Sequence, residues 1–387
     1  MKKHNFDIVV ERRGTDSKKY HPAFYPEDVI PMWIADSDFM CPEPVIEAIR
    51  SRAEHGVYGY THTSERMKCA AAGWLNTRFG MKIEKDQVEF CPGVIGGVIA
   101  AIRGLTKPGD KVILQTPAYP PFTDGIVNNG RRIAENRLIL INGHYEIDFS
   151  DFEKQCKDPR SKLFILCSPH NPTGRVFTKE ELVRMTEICL ENNVLIASDE
   201  IHCDITYGDH IHIPTASISE LVAMNTISFI SPSKTFNLPG FRTAVMVSAN
   251  NWIKNEAHEI LVSNKATGEN IFGTIAFYTA YESCSYYVDQ LKAYMEENLN
   301  TVREAIQEMP GMRLIEPEGT YLFWIDVRDL NMEQSEVMDR FLKQAKVGVQ
   351  DGLHFGEAGR GFVRLNAACP RKLLVQALKQ IKENFYN

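Results

Sequence analysis

The sequence predicts an α/β fold: a large domain built on a mostly parallel sheet flanked by helices, followed by a small α/β C-terminal domain. Strand-like apolar runs alternate with helical stretches along the middle of the chain, which is typical of strand–helix–strand units. Polar side chains follow the ends of these runs, as they do at the carboxyl edge of a parallel sheet. The predicted strands cover residues 111–115, 162–167, 194–198, 226–230 and 243–248.

Capping and turn residues place the elements around these strands. Thr178 and Glu181 form a capping box at the start of an amphipathic helix over residues 178–192. Asn142 and Gly143 indicate a hairpin turn inside the sheet. Further helices are predicted from Pro42 to about His55, from an N-cap at Ser64 to about Phe79, from about Asn270 toward Met309, from about Glu333 and from Pro370, with strands over 321–327 and 361–365.

The chain length and composition favour two closely joined domains. With 387 residues and 44% hydrophobic content, the chain can bury a large core. We expect residues 1–45 to form an N-terminal arm that packs with the small domain. The large domain is predicted over residues 46–285 and the small domain over residues 286–387.

Charge and cysteine use exclude several classes of protein. The net charge is −7 and the basic residues are scattered, so we expect no nucleic-acid partner. The N-terminal residues lack the apolar core of a signal peptide, and the longest apolar stretch, 94–102, is about half a membrane span. Nine cysteines without a CxxC pair fit a reducing cytoplasm. No histidine pair has carboxylate or thiol partners at ligand spacing, so no metal site is predicted.

The segment SPSKTFNLPGFR, which follows the apolar run 226–230, combines two chemistries. Ser231, Ser233 and Arg242 can bind an oxyanion such as a phosphate, while Lys234 can form a Schiff base with an aldehyde. Pyridoxal 5′-phosphate (PLP) carries both groups, so the segment predicts a PLP enzyme. The alternative is a surface loop with a solvated lysine.

Two other strand ends offer side chains that this cofactor needs. Asp199 ends an apolar run and can keep the pyridine nitrogen protonated, which makes the ring an electron sink. The alternative is an acidic helix N-cap. Asn171, in SPHNPTG, can donate to the ring oxygen, although turn asparagines are common.

Asn171, Asp199, Lys234 and Arg242, each at or just past a strand end, resemble the fold-type I PLP enzymes of the aspartate aminotransferase superfamily. The resemblance spans nearly the whole chain, because Arg364 in FVRLNAAC fits the arginine that binds the substrate carboxylate in that family. The alternative for Arg364 is a surface arginine on an edge strand.

The resemblance implies roles for further residues. Tyr119, in TPAYPPF, matches the aromatic residue that stacks on the pyridine ring in this family. With Lys234 and Asp199, it is predicted to be a catalytic residue. The alternative for Tyr119 is a loop tyrosine packed on the core. Tyr60 matches a tyrosine that reaches the phosphate of the neighbouring subunit, which implies a homodimer with a shared active site. The phosphate contacts implied by the resemblance are Gly93, Val94 and Ile95, at a helix N-terminus, together with Ser231, Ser233 and Arg242. His202 would contact the cofactor near its ring oxygen; its alternative is a core histidine. The other substrate contacts are Asn171 and, at the entrance, Trp33, Ala35 and Asp36.

Two departures from ordinary aminotransferases indicate which subfamily the chain resembles. His202 follows Asp-Glu-Ile where those enzymes usually have tyrosine, and the N-terminal region carries PMWIADSDF instead of a glycine-containing turn. With RRGT and YGYT, these features look like the MalY/PatB group of cystathionine and cysteine carbon–sulfur β-lyases. Ser37 stands where that group usually has methionine.

The resemblance implies cleavage of small sulfur amino acids to a thiol or sulfide, pyruvate and ammonia. An aminotransferase remains the main alternative, because the catalytic residues are nearly identical for both reactions. A lesser alternative is a regulatory protein that binds a transcription factor, which members of this group can do in addition to catalysis.

Overall fold

The computed structural model describes residues 3–62 and 65–386, so the predicted cap at Ser64 lies outside the described residues. The α-helices in these ranges are α1 (Glu43–Glu54), α2 (Glu65–Phe79), α3 (Val94–Leu105), α4 (Pro120–Val127), α5 (Phe149–Lys157), α6 (Lys179–Glu191), α7 (Glu220–Asn225), α8 (Asn251–Ser263), α9 (Ile271–Ser283), α10 (Ser285–Gln307), α11 (Gln334–Asp339) and α12 (Arg371–Tyr386). The strands are β1 (Ile30–Pro31), β2 (Val88–Cys91), β3 (Lys111–Thr116), β4 (Arg132–Arg137), β5 (Ile139–Ile141), β6 (His144–Glu146), β7 (Ser161–Cys167), β8 (Leu195–Asp199), β9 (Thr226–Ile230), β10 (Ala244–Val247), β11 (Arg313–Leu314), β12 (Leu322–Asp326), β13 (Val347–Gly348), β14 (Gln350–Asp351) and β15 (Phe362–Asn366).

A seven-stranded sheet forms the centre of the molecule, with the strand order β2-β10-β9-β8-β7-β3-β4. Neighbouring strands are parallel except at β10, which runs antiparallel to both β2 and β9. The five predicted strands correspond to β3, β7, β8, β9 and β10, so the predicted mostly parallel sheet is confirmed. Both edge strands were missed. Strand β2 has only four residues, one of them Glu89, and β4 mixes buried and exposed residues and lacks a continuous apolar run.

Helices cover both faces of this sheet, which explains why its inner strands are apolar on both sides. Val112 and Leu114 of β3 pack with α3, α4 and α8, whereas Ile113 between them packs with α5 and α6. Helix α3 lies very close to the sheet at Gly97, where a Cβ atom would come within 2.7 Å of the Phe229 ring.

Local sequence signals position several elements as predicted. The Thr178 hydroxyl accepts from the backbone N–H of Glu181, and the Glu181 carboxylate accepts from that of Thr178, as expected for a capping box. The Asn142–Gly143 turn joins β5 to β6, and both residues have positive φ, 52° and 84°. That hairpin forms a separate two-stranded sheet, so its predicted place inside the large sheet is wrong.

The C-terminal part of the chain contains a second sheet, with the order β11-β12-β15-β14. The predicted long helical region before it is divided into α9 and α10, because Cys284 adopts non-helical backbone angles. In the N-terminal region, β1 pairs with β13, and Phe6 packs against Tyr287 and Tyr294 of α10. We propose the division predicted above, with the arm of residues 1–45 associated with a small domain over residues 286–387. None of the helices in the described ranges is long and apolar enough to cross a membrane.

Candidate active site

A cavity of about 550 Å³ lies at the carboxyl ends of β7, β8 and β9. Cys167 and Asp199 are the last residues of β7 and β8, and Ser231 directly follows β9. This edge of an open α/β sheet is where ligands generally bind. The predicted site residues that line the cavity are Ala35, Gly93, Val94, Ile95, Tyr119, Asn171, Asp199, His202, Ser231, Ser233, Lys234 and Arg242.

Lys234 extends from the turn after β9 toward the N-terminal arm. Its Nζ donates a hydrogen bond to the backbone carbonyl of Ala35 at 2.6 Å. Burial lowers the pKa of Lys234 to about 8, against the attraction of Asp36, which raises it. The lowered pKa leaves more of the amine uncharged near neutral pH than in an exposed lysine, and the uncharged amine is the form that reacts with aldehydes and accepts protons.

Asp199 is a buried carboxylate whose Oδ1 accepts a hydrogen bond from the backbone N–H of Ile201 at 3.0 Å. Burial raises the pKa of Asp199 to about 7, while the Ile201 hydrogen bond and the charge of Lys234 act to lower it. A cationic group bound beside this carboxylate would stabilise its charged form. The site therefore suits a ligand that carries a protonated ring nitrogen.

Another part of the cavity wall is suited to an anion. Gly93 caps α3 with a φ of +79°, a conformation that favours glycine, and the first turn of the helix, residues 94–96, lines the cavity. The N–H groups of a first helical turn have no partner within the helix and can bind an anion. Ser231 accepts from the backbone N–H of Ser233 at 3.1 Å and donates to the carbonyl of Thr243 at 2.8 Å. These two hydrogen bonds fix the turn after β9, while the first turn of α3 and the Arg242 guanidinium offer donors for a phosphate.

Arg364 lies on β15 beside the cavity and is joined to it through Asn171. Its Nη1 donates to Asn171 Oδ1 at 2.8 Å and its Nη2 to the carbonyl of Trp33 at 2.7 Å. Its Nε is buried, and no described residue accepts a hydrogen bond from it. Burial lowers the pKa of Arg364 to about 10. This guanidinium is therefore a charged donor with capacity for a ligand carboxylate.

Sequence reasoning missed Tyr321, whose hydroxyl donates to the same Ala35 carbonyl as Lys234, at 3.2 Å. Its ring meets the ring of His202 edge-on, with centroids 5.8 Å apart. No local pattern marks Tyr321, because its place in the site depends on the arm. The imidazole of His202 is neutral, since burial together with Lys234 and Arg364 lowers its pKa, and Nδ1 has no hydrogen-bond partner among the described residues.

Besides Arg364, three predicted residues lie outside the cavity wall. Trp33 lies beside the cavity, where its carbonyl accepts from Arg364, and its indole Nε1 donates to the carbonyl of Lys19 at 3.2 Å. Asp36 forms ion pairs within the arm. Tyr60 is fully exposed, in a surface depression that also includes Val57.

The donor set fits PLP. An anion site, a buried carboxylate and a lysine amine border one cavity, and they match the phosphate, ring nitrogen and aldehyde of this cofactor. The amide of Asn171 uses its oxygen to bind Arg364, which leaves its N–H groups for the ring oxygen.

Comparisons with known proteins agree with this geometry. A family model described as aminotransferase class I and II matches residues 27–381. The chain belongs to the class I and II aminotransferase family. Within the family, it is 38% identical over 382 residues to cystathionine beta-lyase PatB of Bacillus subtilis, covering 98% of this chain and 99% of PatB.

Solved structures of the family share the fold over its full length. A PLP-bound putative aminotransferase from Clostridium difficile is 36% identical with a TM-score of 0.96, and the match covers 100% of both chains. A PLP-bound C–S lyase from Staphylococcus hominis is 31% identical with a TM-score of 0.91, covering 100% of this chain and 99% of the lyase. The predicted fold-type I architecture and the resemblance to the MalY/PatB group are therefore confirmed.

Proposed function

We propose that this protein is a PLP-dependent carbon–sulfur β-lyase that cleaves cystathionine, cysteine or S-substituted cysteines to a thiol or sulfide, pyruvate and ammonia. The observation that carries the proposal is the similarity to a cystathionine beta-lyase along 98% of the chain. His202 and the PMWIADSDF segment, which distinguish the chain from ordinary aminotransferases, both lie at or next to the cavity. The nine cysteines without a CxxC pair favour a cytoplasmic location.

Bound PLP would supply an electron sink for the negative charge that develops at the substrate Cα. In this proposal, Lys234 would hold the cofactor, and its lowered pKa would permit its amine to accept the Cα proton of the substrate. Arg364 binds and orients the substrate carboxylate. Asp199 would keep the ring nitrogen protonated, and Asn171 would donate to the ring oxygen.

The remaining contacts hold the two reactants in place. Tyr119 would stack on the pyridine ring. The first turn of α3, the serines after β9 and Arg242 would bind the phosphate. Trp33, Ala35 and Asp36 would border the substrate entrance.

A second candidate function is an aminotransferase, favoured by the similarity to the putative aminotransferase from Clostridium difficile. The two reactions differ after the Cα proton has left. A β-lyase expels the β-thiolate of the substrate, whereas an aminotransferase retains the amino group and releases the substrate as a keto acid.

The test is to incubate the purified enzyme with cystathionine alone and, separately, with alanine and 2-oxoglutarate. A lyase should release homocysteine, pyruvate and ammonia in equal amounts from the first mixture. If the first mixture is inert and the second exchanges amino groups rapidly, the protein is an aminotransferase.

We also propose that the active enzyme is a homodimer in which Tyr60 contacts the phosphate bound by the other subunit. In support, Tyr60 is fully exposed, and Val57 and Tyr58 next to it are exposed as well. A surface loop with three large exposed side chains suits a subunit interface.

A further inference from the structure

Four charged residues of the N-terminal arm form a compact group, which we call the arm cluster: Arg12, Lys19, Asp36 and Asp38. Lys19 is fully buried, and its Nζ lies 2.8 Å from Asp38 Oδ2 and 3.7 Å from Asp36 Oδ1. Arg12 binds Asp36 through both η nitrogens, at 3.1 and 2.9 Å, and Asp38 at 2.6 Å. The cluster thus contains two positive and two negative charges.

The arm cluster holds the backbone of residues 33–38. Lys19 Nζ donates to the carbonyl of Asp36 at 3.2 Å, and Arg12 Nη1 donates to that of Ser37 at 3.0 Å. The carbonyl of Lys19 in turn accepts from the indole of Trp33. Lys19 therefore contacts this segment twice, at Trp33 through its backbone carbonyl and at Asp36 through its side chain.

The same segment provides the partners of two proposed active-site cations. The carbonyl of Trp33 accepts from Arg364, and the carbonyl of Ala35 accepts from Lys234. The position and charge of the segment therefore act directly on both groups.

We infer that Lys19 is a positioning residue of the active site, which through Asp36 and Asp38 holds residues 33–38 against Arg364 and Lys234 and balances the charge that faces Lys234. The inference rests on the proposed function only in assigning Lys234 as the lysine that binds PLP. Lys19 lies one layer behind the cavity and would not touch the cofactor or substrate.

The charges that face Lys234 determine the direction in which each substitution shifts its protonation. Lys234 is faced by Asp36 from the arm, Asp199 from β8, Arg364 from β15, the imidazole of His202 and the hydroxyl of Tyr321. Asp36 raises the pKa of Lys234, second only to the lowering effect of burial. Removing the positive charge of Lys19 leaves the cluster with a net charge of −1, which favours the protonated form at Lys234. Removing the negative charge of Asp38 has the opposite effect.

The experiment is a pH titration of the visible absorption band of the PLP-loaded enzyme, without substrate. For Lys19→Met, the midpoint should move to higher pH by about half a unit or more, and for Asp38→Asn it should move to lower pH. The double variant restores a neutral cluster, so its midpoint should return toward that of the wild type. Lys111→Met is the matched control. It removes the first lysine of β3, which pairs with Asp158, and should leave the midpoint unchanged.

Both cluster variants should also melt at a lower temperature, because each breaks buried ion pairs. A merely structural role would lower both melting temperatures but would not move the two midpoints in opposite directions. Midpoints equal to that of the wild type in both variants would overturn the inference. If Lys19→Met does not fold, a shift of Asp38→Asn to lower pH supports the inference and an unshifted midpoint overturns it.

Kinetics provide a second readout, and the titration separates this inference from the proposed function. With whichever substrate the wild type turns over, Lys19→Met should raise KM, because the segment whose Trp33 carbonyl accepts from Arg364 is then held by fewer contacts. The titration itself uses no substrate. Its result is therefore independent of whether the enzyme is a lyase or an aminotransferase.

Discussion

Lys234 and Asp199 face the same cavity, and burial moves their pKa values in opposite directions. The pKa of Lys234 falls to about 8 and that of Asp199 rises to about 7, because a poorly solvated site disfavours both charged forms. Each group is thereby prepared for a ligand: the lysine to react as an amine, and the aspartate to accept a cationic neighbour.

The shifted pKa of Asp199 predicts a pH-dependent cost in the protein without cofactor. Because the folded-state pKa lies above the unfolded value, the folded state binds more protons between about pH 4 and 7, and stability falls as the pH rises through this window. Asp199→Asn removes that cost. We therefore compare the melting temperature of the cofactor-free variant with that of the cofactor-free wild type. The difference, variant minus wild type, should be larger at pH 8 than at pH 5 by roughly 2–5 °C.

The PLP-loaded form of Asp199→Asn should behave in the opposite way. Asparagine cannot stabilise a ring cation, so turnover should fall by orders of magnitude although the cofactor is retained. Turnover near that of the wild type would mean that another group has the role proposed for Asp199.

Arg364 provides a prediction that holds for either reaction. Arg364→Ala removes the guanidinium that would bind the substrate carboxylate, and we expect kcat/KM to fall by about 100-fold or more, mainly through KM. Arg364→Lys keeps the charge but loses the two-pronged geometry, so its effect should be intermediate. Steady-state kinetics on cystathionine and on alanine would measure both, and an unchanged KM in Arg364→Ala would contradict the assignment.

At the scale of secondary-structure elements, helix α3 connects core packing to phosphate binding. Gly97 lets the helix approach the sheet, because a Cβ there would lie 2.7 Å from the Phe229 ring and 2.9 Å from Cys91 Sγ. The N-terminus of the same helix, at Gly93, borders the cavity. A displacement of α3 would therefore move the phosphate donors.

Gly97→Ala should destabilise the protein by about 1–3 kcal/mol, because the added methyl group overpacks the core. It should also weaken PLP binding. Gly73→Ala is the matched control, since Gly73 lies in the exposed part of α2 with open space around its Cβ position, and there the change should be neutral or stabilising. Denaturant melts and PLP titrations would measure both effects. Equal stability of the two variants would contradict the close approach of α3.

At the scale of the whole molecule, the position of Tyr60 predicts that one chain completes the site of another. Lys234→Ala and Tyr60→Ala should each be inactive or nearly so as homodimers. In a mixed dimer, one site receives an intact Lys234 from one subunit and an intact Tyr60 from the other, so random mixing should restore about one quarter of wild-type activity. Refolding the two variants separately and together provides the comparison, and no gain on mixing would mean that Tyr60 does not act across an interface.

The sequence by itself determined the features that depend on neighbouring residues. The inner strands were predictable because their apolar runs are continuous, and the start of α6 because its capping box lies within four residues. The hairpin turn at Asn142 and Gly143 has the same local origin. Asn171, Asp199 and Lys234 could be predicted to face one cavity because the carboxyl ends of parallel strands meet at one edge of the sheet.

Only the tertiary structure decided the features that depend on distant segments. The carbonyl of Ala35 reaches Lys234 and Tyr321, which lie 199 and 286 positions away along the chain. The arm cluster likewise derives its significance from what its segment contacts, since nothing near Lys19 in the sequence distinguishes it from the exposed Lys18. Burial of Lys19 and its ion pairs depend on folding of the arm onto the core, and no local pattern of residue types encodes that contact.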